Sequence, residues 1–456
     1  MRIWVALCLL AGILEAGELR VGRAAVKITP PAGIPLAGYY RVRLAEGAHD
    51  DLWAKAVVLQ AGQTRAALVS CDLISLDREI VERARKLIEE SAGIPVAFVM
   101  IGATHSHTGP LMSPRFLKAA DAGPRKLAEQ FRTQLPGRIA DAVKAALNTM
   151  PAKARRAVGK EESVSFYRRY LMKDGSVRFN PGKLNPDIVQ PVGPIDPDLA
   201  VVRFDSVEDK PLALYVNFAL HLDTVGGGHF SADYPYTLAK LMGKVYGPDM
   251  LTLFTTGAAG NINHIDVRSK DPQKGHEEAR RIGTILAGET LKSMARLQPV
   301  PGLQVQAVSE ILKLPIPRFD DKEVAAAKAA VKTFGQGEQR PFYDLVHAFK
   351  VLDVAERKDA PVEAEVQVIS LGSELAWVGL PGEIFSELGI AIKKASPFPQ
   401  TIIVELANGL VGYVPTKKGF TEGSYEAISA RIAPGGGEAM AEAAIGLLAR
   451  LHRTAR

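Results

Sequence analysis

The 456-residue chain carries 56 Lys and Arg against 50 Asp and Glu, a formal net charge of +6, and 47% of its residues are hydrophobic. This composition is that of an ordinary globular protein, and the length is sufficient for a large core. The positive charges are spread along the chain and not clustered, which argues against a nucleic-acid-binding protein and allows only a weak attraction to anionic membrane surfaces.

The N-terminus has the pattern of a secretory signal peptide. Arg2 precedes an apolar run over residues 3–14, and small residues follow the run. This run is too short to span a bilayer. We predict a signal peptide over residues 1–16 and a secreted or periplasmic protein; the alternative is an apolar first strand. Cleavage would leave Cys71 as the only cysteine, so we expect no intrachain disulfide.

Segments with the patterns of strands and helices alternate along the chain. Strands are predicted over residues 54–60, 65–70, 95–103, 199–204, 212–220, 251–256, 364–371, 374–379 and 401–406. Helices are predicted over residues 77–92, 126–148, 274–297 and 437–451. This alternation predicts a mixed α/β (α+β) fold in which mixed β-sheets are flanked by helices. No linker divides residues 17–456, so we expect one large domain.

Two segments depart from the alternation. Residues 180–197 are rich in proline and glycine and predict a long loop, a feature that is often functional inside a compact domain. Residues 318–358 are rich in alanine and lysine and predict an inserted helical hairpin.

Two histidines follow the predicted strand over residues 95–103. They belong to the run Thr104-His105-Ser106-His107-Thr108-Gly109-Pro110. Residues two apart on an extended chain point to the same side, so His105 and His107 could share a metal ion or act as ligand and proton carrier. The alternative is a pair of surface histidines beside a turn.

Further polar loops follow other apolar strands, and they carry His221, Asn263, Glu383 and Tyr413. Histidines and a carboxylate without thiolates suit a catalytic zinc ion, which keeps one position open for water. These loops therefore predict a metal-dependent hydrolase. Each residue also has a structural reading: His221 as a buried histidine, Glu383 as the cap of a following helix, and Tyr413 as a core aromatic.

Ordered motifs along most of the chain resemble those of the neutral (non-lysosomal) ceramidases. The matching segments are residues 22–24, 28–31, 36–39, 49–56, 68–72, 103–110, 217–221, 231–235, 381–383 and 408–413. The stretch 103–110 is similar to that family's Thr-His-Thr-His-Ser-Gly-Pro signature. The resemblance implies an α/β catalytic domain with one zinc ion, and this chain is expected to lack the immunoglobulin-like domain that follows it in the family.

The resemblance also implies roles for particular residues. The zinc ligands would be His105, His221, Glu383 and Tyr413, with Tyr425 as the alternative tyrosine. His107 would contact the substrate or handle protons, and Arg168 would stabilise an oxyanion.

The chain departs from the family where the family has a catalytic serine, because Asn263 occupies that position. An amide is no nucleophile, but it can donate a hydrogen bond to an oxyanion. His264 either takes over part of the serine's role or is an ordinary loop residue; both readings stay open.

The expected function is zinc-dependent hydrolysis of the amide bond of ceramide or a related N-acylated lipid by zinc-activated water. The alternatives are a zinc esterase or amidase with a non-sphingoid substrate, and a catalytically silent ligand-binding relative. The expected partner is a lipid-like small molecule, and the sequence predicts no oligomeric state.

Overall fold

The computed structural model describes residues 18–302, 304–332, 334 and 341–454, so the predicted signal peptide lies outside the described residues. The strands are β1 (Leu19–Lys27), β2 (Gly47–Ala48), β3 (Trp53–Ala61), β4 (Thr64–Cys71), β5 (Val99–Ala103), β6 (Met150–Lys160), β7 (Phe166–Tyr167), β8 (Arg169–Met172), β9 (Val177–Phe179), β10 (Ile188–Pro191), β11 (Asp198–Ser206), β12 (Pro211–Phe218), β13 (His229–Phe230), β14 (Leu251–Thr256), β15 (Ile262–Asn263), β16 (Gln298–Pro299), β17 (Val305–Leu314), β18 (Val362–Leu371), β19 (Leu375–Gly379), β20 (Glu383–Ile384), β21 (Gln400–Val404) and β22 (Tyr413–Val414).

The helices are α1 (Arg78–Ala92), α2 (Pro114–Leu117), α3 (Ala122–Ala145), α4 (Tyr234–Tyr246), α5 (His276–Met294), α6 (Asp321–Lys332), α7 (Phe342–Ala355), α8 (Ser386–Ala395), α9 (Lys417–Glu422), α10 (Ser424–Ser429) and α11 (Gly436–Thr454). No helix in the described ranges is long and apolar enough to cross a bilayer.

Two mixed sheets form the centre of the protein. The larger has the strand order β14-β12-β11-β6-β1-β3-β4-β5, with β16 also paired to β6, and the smaller has the order β17-β18-β19-β21. The β12–β14, β4–β5 and β19–β21 pairs are parallel, while the other neighbours in these two sheets are antiparallel. The predicted mixed α/β class is therefore confirmed.

The two sheets pack face to face, and helices cover their outer faces. On β4, Ala66 and Leu68 point into the core shared with Trp377 of the smaller sheet. The alternate residues Ala67 and Val69 point into the core formed with α1 and α3. Because both faces are buried, the middle of β4, residues 66–69, is entirely apolar, as expected of a covered strand. Helices α8 and α11 cover the smaller sheet, and α4 and α5 cover the other end of the larger one.

The larger sheet curls until its two edge strands approach each other. The Ser70 hydroxyl of β4 donates to the Phe254 carbonyl of β14 over 2.5 Å. The Thr256 hydroxyl at the end of β14 donates over 2.7 Å to the carbonyl of Thr104, directly after β5. Strand twist accumulates across a sheet of this width, which explains the curl. As a result, the loops after β5, β12 and β14 meet at one end of the sheet.

Several predicted boundaries needed correction. The strand predicted from residue 95 begins at Val99, because residues 96–98 form a 3-10 turn in which Phe98 N donates to Pro95 O over 2.8 Å. Proline at the start of the segment lacks the N–H that a strand would use. Residues 180–197, predicted as a loop, contain the short strand β10.

Residues 318–358 contain α6 and α7, which pack through Ala327, Ala330, Ala348, Val351 and Leu352. Part of the segment between the two helices lies outside the described residues. Helix α7 carries Asp353. Its carboxylate forms an ion pair with Arg431, whose Nη2 lies 2.6 Å away, and a second ion pair with Arg115. These ion pairs hold α7 against the end of the sheet where the loops meet.

Candidate metal centre

His105 follows β5 in a backbone conformation that side chains rarely adopt. Its φ is 76°, and the N–H groups of His105 and Ser106 donate to Leu73 O over 2.9 and 3.1 Å. A left-handed residue breaks the alternation of an extended chain. The extended-chain argument for His105 and His107 was therefore wrong, although the turn does bring their Nε2 atoms to 3.3 Å.

His221 reaches the same place from the opposite edge of the curled sheet, in the loop after β12. Its Nε2 lies 2.8 Å from His105 Nε2. The His105 Nδ1 lies 2.8 Å from Ile74 O, and the His221 Nδ1 lies 3.4 Å from Ala259 O. These carbonyls can only accept, so both Nδ1 atoms are expected to carry the proton, and both Nε2 atoms face each other as lone pairs.

Glu383 and Tyr413 are brought together by strand register. Parallel strands β20 and β22 pair Glu383 with Tyr413, and Glu383 N donates to Gly412 O over 3.0 Å. The Tyr413 hydroxyl hydrogen-bonds the Glu383 carboxylate. Glu383 Oε2 lies 3.4 Å from His105 Nε2 and 3.8 Å from His221 Nε2. The Oε2 atom itself is buried, and no described residue lies in hydrogen-bond geometry with it.

These atoms fit a metal ion. His105, His107 and His221 form a group whose ligand atoms lie within 4.8 Å of one another. Ligands at zinc–nitrogen distances in a tetrahedral site are about 3.3 Å apart, close to the separations found here. Facing lone pairs and a buried carboxylate oxygen without a partner repel one another unless a cation or proton lies between them. Imidazole nitrogens and a carboxylate oxygen are ligands that a divalent metal ion accepts.

The electrostatics favour neutral His107 and His221 and a charged Glu383 carboxylate beside His105. Burial lowers the pKa of His221 well below its usual value and that of His107 to about 4. Burial acts in the same direction on His105, but the neighbouring Glu383 carboxylate outweighs it and raises the His105 pKa. Burial opposes ionisation of Glu383, yet His105 outweighs this and lowers its pKa.

Arg168 lies directly behind Tyr413. Its Nη2 donates to the Tyr413 hydroxyl over 3.1 Å and to Gly260 O over 2.7 Å, and its Nε donates to Glu426 over 3.0 Å. Arg168 is 3% exposed, and burial opposes its charge, but Tyr413 and Glu426 raise its pKa. Tyr425 packs against Tyr413 with ring centroids 5.3 Å apart.

A cavity of about 500 Å³ opens at this centre. His105, His107, Glu383 and Tyr413 line its polar end. Apolar and aromatic residues line much of the remainder, among them Tyr40, Leu111, Met112, Phe116 and Tyr425. Helix α7 contributes Asp353 to the wall.

Asn263 and His264 lie elsewhere. Both line a second cavity of about 470 Å³, which Asp223 also borders. The Asn263 amide donates to Asn180 Oδ1 over 2.9 Å, and its oxygen accepts the Ile265 N–H over 3.0 Å. His264 Nε2 lies 2.7 Å from Gln273 O. The roles suggested for these two residues stay predictions.

Two residues of this region were missed by the sequence analysis, Asp223 and Glu405. Glu405 is fully buried at the end of the apolar strand β21, and Oε2 accepts the N–H groups of Ala259 and Ile384, both over 3.0 Å. Burial raises its pKa to about 8. By accepting both N–H groups, the Glu405 carboxylate links the backbone next to Glu383 to Ala259, whose carbonyl faces His221 Nδ1. A charged residue directly after the apolar run 402–404 was the available signal.

Gly260 should be intolerant of any side chain. A Cβ at this position would lie 2.3 Å from Glu383 O and 2.6 Å from Glu383 C, and backbone cannot yield as a flexible side chain does. We expect Gly260→Ala to displace β20 and to lower metal content and thermal stability together. Gly288→Ala on α5 is the matched control, since nothing lies within 4 Å of its added methyl; there we expect stabilisation of about 0.5–1 kcal/mol. Unchanged metal content in Gly260→Ala would contradict this packing argument.

The sequence matches no protein-family profile and no curated protein sequence. Solved structures do match. The crystal structure of neutral ceramidase from Pseudomonas aeruginosa superposes with a TM-score of 0.75 at 18% identity, over 96% of this chain and 75% of that chain. A ceramidase complexed with C2 gives a TM-score of 0.74 at 18% identity, over 95% of this chain and 76% of that chain. The predicted resemblance is thus confirmed at the level of the fold.

Proposed function

We propose that this chain is a zinc-dependent hydrolase that cleaves the amide bond of ceramide or a related N-acylated lipid. The observation that carries the proposal is the convergence of His105 and His221 Nε2, 2.8 Å apart, beside the unpartnered Glu383 Oε2. Lone pairs arranged in this way repel one another unless a proton or a cation lies between them, and one divalent cation would satisfy both imidazoles and the carboxylate together. The shared fold with ceramidase structures supports the reaction class.

The zinc ligands in this proposal are His105, His221, Glu383 and Tyr413. A bound zinc ion would polarise the substrate carbonyl and lower the pKa of water. Arg168 would hold the Tyr413 hydroxyl by the hydrogen bond described above, and its charge would favour negative charge developing nearby. His107, whose Nε2 faces the same point, would contact the substrate or handle protons.

The walls of the 500 Å³ cavity support a lipid-like substrate. Tyr40 makes edge-on ring contacts with Phe116, Phe342 and Phe349, with centroids 5.4, 5.7 and 5.7 Å apart. This aromatic cluster begins at the cavity wall and continues onto α7. An apolar chain bound along it would leave water, which is the main driving force for binding such a group.

The test combines metal analysis with hydrolysis. Purified protein should contain about one zinc per chain and release fatty acid from a labelled short-chain ceramide. A matched ester with the same acyl chain tests the first alternative, a zinc esterase. Zinc retained without hydrolysis of either compound would favour a silent ligand-binding relative, while absence of any bound divalent metal would refute the proposal. We also propose that the protein is exported. N-terminal sequencing of protein recovered outside the cytoplasm should show that residues 1–16 have been removed, and protein found only in the cytoplasm would refute export.

Asn263→Ser should change substrate preference and leave the metal in place. Asn263 lines the second cavity and is tied to Asn180, so serine would free space and remove an amide there. We expect kcat/KM for ceramide relative to the matched ester to change at least 5-fold, with unchanged zinc content. Asn148→Ser, at an exposed position shortly after α3, serves as the control. If the ratio of the two kcat/KM values stayed unchanged, Asn263 would have no influence on substrate choice.

A further inference from the structure

Asp223 faces the side of His107 that is turned away from the metal centre. Its Oδ1 lies 3.6 Å from His107 Nδ1. Asp223 borders the second cavity, whereas His107 borders the cavity at the metal centre. The pair therefore forms part of the partition between the two cavities.

The two nitrogens of His107 have different surroundings. Nε2 points to the centre, 3.3 Å from His105 Nε2, while Nδ1 is buried and has no hydrogen-bond partner among the described residues. A neutral imidazole carries a single proton, and the hydrogen bond made by one nitrogen decides which tautomer is present. An ionised carboxylate beside Nδ1 favours the proton on that nitrogen, so Nε2 keeps a free lone pair.

Asp223 is held in place by its neighbours. The Tyr39 hydroxyl donates a short hydrogen bond to Asp223 Oδ1. The Arg43 guanidinium stacks 4.3 Å from the Tyr39 ring centroid and donates to His107 O over 2.9 Å. The carboxylate, the tyrosine and the histidine backbone are thus fixed relative to one another.

We propose that Asp223 is a positioning residue that holds His107 in the Nδ1–H tautomer, so that Nε2 is a proton acceptor at the reaction centre. The catalytic consequence rests on the proposed hydrolase function. Water adds its oxygen to the acyl carbon and gives one proton to His107 Nε2; the same proton passes to the amide nitrogen as the C–N bond breaks, which yields a carboxylic acid and an amine. No serine is needed, which agrees with Asn263 at that position.

The separation of 3.6 Å exceeds an ordinary hydrogen bond by about 0.6 Å. Catalytic hydrogen bonds are often long without substrate and shorten in the complex. A small rotation of the His107 ring toward Asp223 would close the gap, since the carboxylate is already held by Tyr39.

Asp223→Asn is the main test. An asparagine amide can donate to Nδ1 and thereby favours the opposite tautomer, a change that in Ser-His-Asp enzymes costs about 10⁴-fold in kcat. We expect kcat to fall at least 100-fold, with KM changed less than 3-fold and zinc content unchanged. Asp141→Asn, on the exposed face of α3, is the matched control and should have no effect. A change confined to KM would overturn the proposal, because it would make Asp223 a substrate contact.

A second readout does not depend on turnover. Long-range ¹⁵N–¹H NMR of histidine side chains in the metal-free protein should show the Nδ1–H form for His107 in the wild type and the Nε2–H form in Asp223→Asn, with the His107→Asn variant identifying the signal. The same tautomer in both proteins would overturn the proposal. If no substrate is hydrolysed but the tautomer changes, the hydrolase function fails and the positioning role stands. Should Asp223→Asn fold poorly, Tyr39→Phe removes only the hydroxyl and should lower kcat about 10-fold.

Discussion

Replacing His105 with alanine should remove both the bound metal and the hydrolytic activity. His105 Nε2 lies at the middle of the candidate site, within 2.8 Å of His221 Nε2, 3.3 Å of His107 Nε2 and 3.4 Å of Glu383 Oε2. Loss of a residue that merely orients a metal ligand costs about 10- to 100-fold in affinity. Loss of a ligand should cost more, so we expect zinc affinity to fall more than 100-fold and turnover to become undetectable.

The measurement is the zinc-to-protein ratio by mass spectrometry, together with ceramide hydrolysis at saturating substrate. His229→Ala is the matched control, because this side chain is 49% exposed and pairs only loosely with Glu46 at 4.0 Å. It should keep both zinc and activity. A His105→Ala protein that retained full activity would refute the assignment of the site, whatever its zinc content.

Replacing Arg168 with methionine should destabilise the protein and inactivate it through separable effects. The change leaves the carboxylate of Glu426, which is fully buried, with Arg169 as its remaining partner, at 2.8 Å. Breaking a buried ion pair costs about 3–5 kcal/mol, and the surviving bond should keep the loss near the lower limit, about 3 kcal/mol. Urea unfolding followed by circular dichroism measures this loss of unfolding free energy.

The activity loss has a different cause, since the Tyr413 hydroxyl would lose its Arg168 donor at 3.1 Å. The double variant Arg168→Met/Glu426→Gln separates the two effects, because a neutral amide at position 426 costs less to bury than a carboxylate that has lost one of its two arginine partners. We expect it to recover part of the lost stability and none of the activity. Recovery of both would make Arg168 a purely structural residue. The activity and stability of Arg168→Lys should lie between those of the wild type and of Arg168→Met. An ammonium group keeps the charge but cannot reproduce the forked contacts of the guanidinium.

Asn263, which replaces the family's serine, faces the second cavity and not the cavity at the metal centre. In this structure the amide of Asn263 is occupied by Asn180 and by the Ile265 N–H, and it faces the second cavity. His107 and Asp223 lie between that cavity and the metal centre. We therefore propose that the reaction takes place at the histidines and that Asn263 influences substrate selection from the second cavity.

The sequence alone determined the fold class, many of the helices and strands, and the loops that carry His105, His221, Glu383 and Tyr413; the long strands β1, β6 and β17 were not predicted. These features depend on local patterns: alternating apolar residues define the strands, and polar residues that interrupt an apolar run define the loops. The same local patterns failed at boundaries such as residues 95–98, where Pro95 favours a turn over a strand.

Only the tertiary structure decided which of these loops meet. His105 and His221 converge because the larger sheet curls until β14 approaches β4 and β5, and Glu383 lies beside Tyr413 because β20 and β22 pair in that register. Asn263 and His264, on an equally convincing loop, are directed to a different cavity, while Asp223 and Glu405 contact the centre without any motif. Strand pairing and curl depend on contacts between residues far apart in the chain, and local patterns do not contain that information.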